Sequence, residues 1–331
     1  MQSLASFIMA RPLNAVLVGV VFAVLAVVIP PLGFLLFTLC AATVALVALR
    51  LGSGAALPAL IGAIIAIAVS SQALTDTAMQ SPFSGVSSVM MMVILPLLLV
   101  VCGVLRQTRS LQISLLVSAI VAMLAIVSMY LFVGDTTVWW QKSFERVIAL
   151  QPDPDIGSPI SEAELDNTVS FLAGASSSLV GAIVFLSINL SLFLARWWQA
   201  KLYNPGGFKE EFHSLRFDNR ITIASLAVLA MTMLFAGLWA NLAKDLLVIF
   251  MAVFTIGGIA LVHNVVAYKN WPRFFVVAQY VLLIFPLTAP QMSVLLASLG
   301  FADSWLNIRR RLGITPKRDD LVKRDSEDND D

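Results

Sequence analysis

Uninterrupted apolar runs recur along this chain at residues 13–29, 33–49, 56–69, 89–105, 111–133, 169–193, 221–240 and 246–266. Each predicts a helix that spans a bilayer. A crossing takes about 20 apolar residues, and in lipid a helix satisfies its own backbone groups. A last apolar block, 274–305, is interrupted by Pro286 and Pro290. It predicts two short helices, 274–285 and 291–305, joined as a hairpin that either crosses fully or re-enters. The runs are continuous rather than alternating, which argues against a β-barrel. The predicted fold class is therefore all-α: a polytopic transmembrane bundle of eight spans plus a proline-broken C-terminal hairpin.

The polar stretches divide the chain into a five-span bundle (1–133), an acidic loop (134–168), a second membrane bundle (169–311) and a charged tail (312–331). Within the loop, residues 137–150 set Val138, Trp139, Phe144, Val147, Ile148 and Leu150 among polar residues. This pattern predicts a short amphipathic helix lying on the membrane surface. Ser161 and Glu164 have the spacing of a capping box, which predicts a helix starting there and entering the membrane near Val169. In the second bundle, 196–220 is a polar segment whose Phe208, Phe212, Leu215 and Phe217 predict another surface helix. The tail is rich in charge and poor in apolar residues, the composition of disorder.

Charge sets the orientation. Only 12% of the 331 residues are charged and 59% are hydrophobic, against roughly 25% charged in a soluble domain. Arg11, Arg50, Arg106, Arg109, the group from Arg196 to Arg220, Lys269, Arg273 and the C-terminal basic residues fall on one side when successive spans alternate. The positive-inside rule makes that side cytoplasmic and places both termini there. The 134–168 loop, with seven acids and two bases, falls outside. A net charge of +1 gives no reason to expect nucleic acid. Cys40 and Cys102 lie inside apolar runs and read as small hydrophobes, not a disulfide framework. There is no Gly-x-x-x-x-Gly-Lys-Ser/Thr pattern, so any nucleotide hydrolysis belongs to another chain.

Chemistry-bearing residues are sparse. The predicted spans hold no acid or base at mid-membrane, which disfavours a carboxylate proton relay. His263 and Asn264 follow Gly257-Gly258 near the inner end of a span. His263 either contacts a ligand or proton, or forms an interfacial cap satisfied by a carbonyl. Asn189 and Gln279 either line a polar cavity or bond between helices. Ser176–Ser178 sit in a run of small residues, which favours close helix packing over a nucleophile that has no base nearby. Arg196, Trp197, Trp198, Asn204, Gly206 and Gly207 form an aromatic and basic elbow where the chain leaves the lipid. Its glycines could make an anion-binding nest with Lys201, Lys209 and Arg216, or simply a tight turn between topological anchors. Asp303 can pair with Arg216, Arg220 or its own helix, and Arg309-Arg310-Arg311 reads as a cytoplasmic stop signal. No cofactor, metal or catalytic constellation is predicted.

Ala195-Arg196-Trp197-Trp198-Gln199, Asn204-Pro205-Gly206-Gly207-Phe208 with Glu211-Phe212, Gly257-Gly258-Ile259-Ala260-Leu261-Val262-His263, and Asp303-Ser304-Trp305 occur in that order. In this order the motifs resemble the YybS-like family of bacterial polytopic membrane proteins, a domain of unknown function. That family is distantly similar in fold to the membrane-embedded substrate-binding components of energy-coupling-factor vitamin transporters. The resemblance implies an inner-membrane protein that binds a small molecule or assists its transport, in contact with the lipid bilayer and with a partner subunit. It also suggests that Ala41, Ala45 and Ala48 pack against such a partner. The alternative is a membrane scaffold or assembly factor that holds a protein partner on its cytoplasmic face.

Overall fold

The computed structural model describes residues 2–74, 84–149 and 162–313. Among them are fourteen α-helices and no strand. They are α1 (Gln2–Ala10), α2 (Pro12–Val28), α3 (Gly33–Leu51), α4 (Ser53–Ala73), α5 (Ser84–Thr108), α6 (Leu111–Val133), α7 (Thr136–Ala149), α8 (Glu162–Tyr203), α9 (Gly207–Ser214), α10 (Asn219–Leu234), α11 (Leu238–Tyr268), α12 (Phe274–Ile284), α13 (Ala289–Leu306) and α14 (Ile308–Arg311).

The all-α polytopic class stands, with a different span count. Among the described residues, six helices are long and apolar enough to cross a membrane, and a seventh is reached only if α9 and α10, bent by 53°, count as one span. The reason lies in the helix breakers. Pro12 opens α2 and Pro30 stops it at 17 residues, about 26 Å of helix. The predicted 221–240 span ends early, at Leu234, because Gly237 turns the chain with φ +61°. The helix after it begins at Leu238, not Leu246, and so carries Asp245 inside a span that was read as free of acids. The proline-broken block does form two helices, α12 and α13. The amphipathic loop helix is α7, 14 residues long. Ser161 of the capping box lies outside the described residues, as does the tail from 314 onward.

The chain divides into two compact units: unit 1 comprises residues 1–209 and 228–249, and unit 2 comprises 210–227 and 250–331. In unit 1, α3 is the central pillar and packs against α2, α4, α5 and α8. Every residue from Cys40 to Leu49 is buried, as expected of a helix apolar on all sides. Ala41, Ala45 and Ala48 are therefore core residues at 0–2% exposure and offer no face to a partner. Gly52, with φ +107°, is the single residue between α3 and α4, and only glycine takes that conformation readily. The other pillar is α8: at 42 residues it is about 63 Å long, twice a typical hydrocarbon core.

In unit 2, α11 and α13 cross with their backbones in close approach. A side chain at Gly258 would meet the backbone of Leu296, and one at Gly300 the backbone of Phe254. Thr255 Oγ1 donates to the Ser293 carbonyl at 3.1 Å across the same crossing. Small residues at such a contact let van der Waals packing hold helices that lipid gives no hydrophobic reason to associate.

Candidate functional site

The helix ends of unit 1 gather basic and aromatic groups. The Arg50 guanidinium lies 4.2 Å above the Tyr203 ring. Arg106 abuts Gly52. Thus the C-terminal ends of α3, α5 and α8 meet at one end of the unit. Toward the opposite end, α2, α3, α5 and α8 part to leave a cavity of about 290 Å³ that is partly open to the surface, where Phe34 and Ile183 of its wall are exposed. Phe34, Phe37, Met90, Met91, Ile94 and Ile183 supply its apolar wall, and Ser87, Ser88 and Ser187 its hydroxyls; among the described residues, no ionisable one lines it. Met side chains suit such a wall because they adapt to irregular shapes.

The residues singled out on α8 fall into two groups. Asn189 bonds between helices: its Nδ2 donates to Ser118 Oγ on α6 at 2.7 Å and to the Phe185 carbonyl at 2.8 Å, while its Oδ1 has no partner. Trp198 is fully buried with its indole N–H unpartnered. The remainder form the elbow. Arg196 donates to Gln199 Oε1 at 3.1 Å, and Lys201 lies 4.4 Å above the Trp197 ring. Gly206 takes φ +96°, and the Gly207 N–H closes the turn on the Asn204 carbonyl at 3.1 Å. An anion nest would need that N–H, so the geometry is that of a turn.

The serine run is also structural. Trp140 Nε1 donates to Ser177 Oγ at 3.2 Å and docks α7 on α8, while Ser176 and Ser178 donate to carbonyls of their own helix. Sequence reasoning missed a buried pair nearby. Tyr130 of α6 donates its hydroxyl to Asp245 Oδ2 of α11 at 2.7 Å. The signal was present, but Asp245 sits at the edge of an apolar run and reads as a loop residue.

In unit 2 the centre is not a histidine but Arg309. Its Nε donates to Asp303 Oδ2 at 2.9 Å, Nη2 donates to the Leu215 carbonyl at 2.6 Å, and Nη1 to the His213 carbonyl. Asp303 thus pairs with neither Arg216 nor Arg220. Asn307, at φ +56°, turns the chain left-handed and brings Arg309 back onto the carboxylate. Burial pulls the Arg309 guanidinium below its ordinary range, and the Asp303 charge opposes that shift. Arg310 and Arg311 stay exposed, so only they fit the stop-signal reading.

The other unit 2 residues surround this staple. Arg216 Nη2 reaches the Ser304 carbonyl at 3.5 Å, and Arg220 is exposed. Asn264 Nδ2 donates to the His213 carbonyl at 3.1 Å, so it helps close α9. His263 Nε2 bonds Tyr280 Oη at 3.0 Å, and its ring packs against Phe212 and His213. Its partner is a hydroxyl, not the carbonyl a cap would supply. Gln279 is 2% exposed with neither amide atom partnered. Among the described residues, no group of three or more His, Cys, Asp or Glu gathers to hold a metal ion.

Residues 158–304 match the model of a family described as a predicted membrane protein, DUF2232. The matched stretch includes the whole described length of α8 and runs through most of α13. No curated protein and no solved structure matches the chain. With its apolar helices, the match makes this a membrane protein with several spans.

Proposed function

We propose that the chain is a transport-associated subunit of a bacterial inner membrane that binds a small, uncharged, largely apolar molecule. The cavity of unit 1 carries this reading. Its volume of about 290 Å³ lies near the lower end of small-molecule pockets. Among the described residues a charged ligand would meet no counter-charge there, and it would lose hydration. An apolar one carrying one or two hydroxyl or carbonyl groups would meet the methionine and phenylalanine wall and the three serines. The resemblance to YybS-like proteins, and through them to energy-coupling-factor substrate-binding components, supports the same role. The gathering of Arg50 and Arg106 supports a cytoplasmic position for that end, with both termini on that side.

The test is extraction of small molecules from purified protein, comparing wild type with Ser187→Phe, which fills the cavity. The reading predicts a molecule enriched over bulk lipid in the wild type and lost from the variant at equal folded yield. Equal recovery from both, or no enrichment, would contradict it.

The exposed Arg220, Arg310 and Arg311 favour a second reading, a scaffold holding an acidic partner segment. Replacing Arg220 and Arg310 with alanine should then abolish partner recovery and leave the cavity ligand in place. Partner recovery unchanged by that double replacement would rule the scaffold out.

A further inference from the structure

Ser187, Ser191 and Trp198 stand four and seven residues apart on α8, so at about 100° per residue they lie within a 40° strip of one helix face. All three are buried, at 0–1% exposure. Ser187 lines the cavity. Below it, Ser191 Oγ and Trp198 Nε1 have no hydrogen-bond partner. Unpartnered buried donors are uncommon, because each forfeits its bond to water, and a pair on one strip calls for a common explanation. Counting along the helix, Ser187 is about 24 Å from Tyr203 and Trp198 about 8 Å. The strip therefore runs from the cavity toward the end where Arg50 meets Tyr203. Many helix seams in a membrane bundle are dry and apolar; this one holds a hydroxyl and an indole N–H without partners, and the indole N–H, unlike a helical serine hydroxyl, has no carbonyl of its own helix to turn to.

We infer that the cavity continues as a hydrated seam along the Ser187–Ser191–Trp198 face of α8, a route by which a small neutral solute passes from the cavity to the basic end of unit 1. The inference rests on the cavity being a binding site and adds direction to it: the chain conducts its ligand rather than merely holding it. Because the strip offers hydrogen bonds but no charge, the solutes it admits are neutral ones with a hydroxyl, carbonyl or amide group.

Cysteine accessibility tests it on the full chain in native vesicles. Cys40 and Cys102 are both buried and are first replaced by alanine. Ser187→Cys, Ser191→Cys and Leu192→Cys are then each exposed to methyl methanethiosulfonate, a small neutral thiol reagent of the kind the seam would admit. Leu192 is equally buried on the same helix, but apolar, and serves as the dry reference. The seam predicts that Ser187→Cys and Ser191→Cys react at least about tenfold faster than Leu192→Cys, since thiol labelling follows access to water. Reaction at Ser187→Cys with Ser191→Cys no faster than the reference would overturn the seam and leave the binding cavity intact. No reaction at either would overturn both. If Ser191→Cys does not fold, exchange of the Trp198 indole N–H decides, its signal assigned by Trp198→Phe. Rapid exchange supports the seam, and protection like that of a core amide overturns it.

Discussion

Two buried polar sites, the Arg309 staple of unit 2 and the α8 strip of unit 1, stand at opposite ends of hydrogen-bond satisfaction, although each unit also holds the other kind, Gln279 unpartnered in unit 2 and Tyr130–Asp245 paired in unit 1. In unit 2, the Arg309 guanidinium is 4% exposed, yet it meets a carboxylate and two backbone carbonyls. In unit 1, Ser191 and Trp198 are as deeply buried and find nothing. A saturated network fixes one arrangement of its helices and leaves no valence for a ligand. An unsaturated strip beside a cavity is poorly explained as architecture. Burial of polarity alone therefore does not mark a site here; unmet hydrogen-bonding capacity beside open volume does.

The contrast can be broken most forcefully at Arg309. Arg309→Ala leaves Asp303 buried without its partner, and should cost about 3–5 kcal/mol, read as a large fall in thermal stability in detergent. Arg310→Ala, its exposed neighbour, should barely move the transition. Equal effects would mean that the staple is no more than a surface charge. A smaller loss, about 1–3 kcal/mol, is expected for Tyr130→Phe, which removes a hydrogen bond from buried Asp245. That result would show that saturated groups in unit 1 behave like those in unit 2. The smallest effect is expected at the seam. Ser191→Ala deletes an unpartnered hydroxyl and should leave stability within about 0.5 kcal/mol; a loss comparable to that of Tyr130→Phe would reveal a structural bond and remove the contrast.

Much of the architecture is legible in the sequence, because lipid allows few solutions. Long apolar runs must be helices, and Pro286 and Pro290 must break the last of them. The amphipathic α7 follows from the alternation around Trp139 and Phe144. The sites are harder to read. Arg309, Arg310 and Arg311 are chemically identical, and their different fates depend on the left-handed turn at Asn307, which no local pattern announces. The hydroxyls of Ser87, Ser88 and Ser187 each look incidental within an apolar run. They become a pocket only when α5 and α8 are packed against α3. Asn189 and Trp198 were recognisable as polar groups in or near a span. That one would bond Ser118 and the other bond nothing is a property of the helices they face.

The most direct measurement is a high-resolution density map of the protein in native lipid, inspected between Phe34, Phe37, Met91 and Ser187. The account predicts compact non-protein density there, within hydrogen-bond reach of a serine hydroxyl, with ordered water beside Ser191 and Trp198. Side chains closing the cavity, or a featureless lipid tail with a dry α8 seam beneath it, would contradict it.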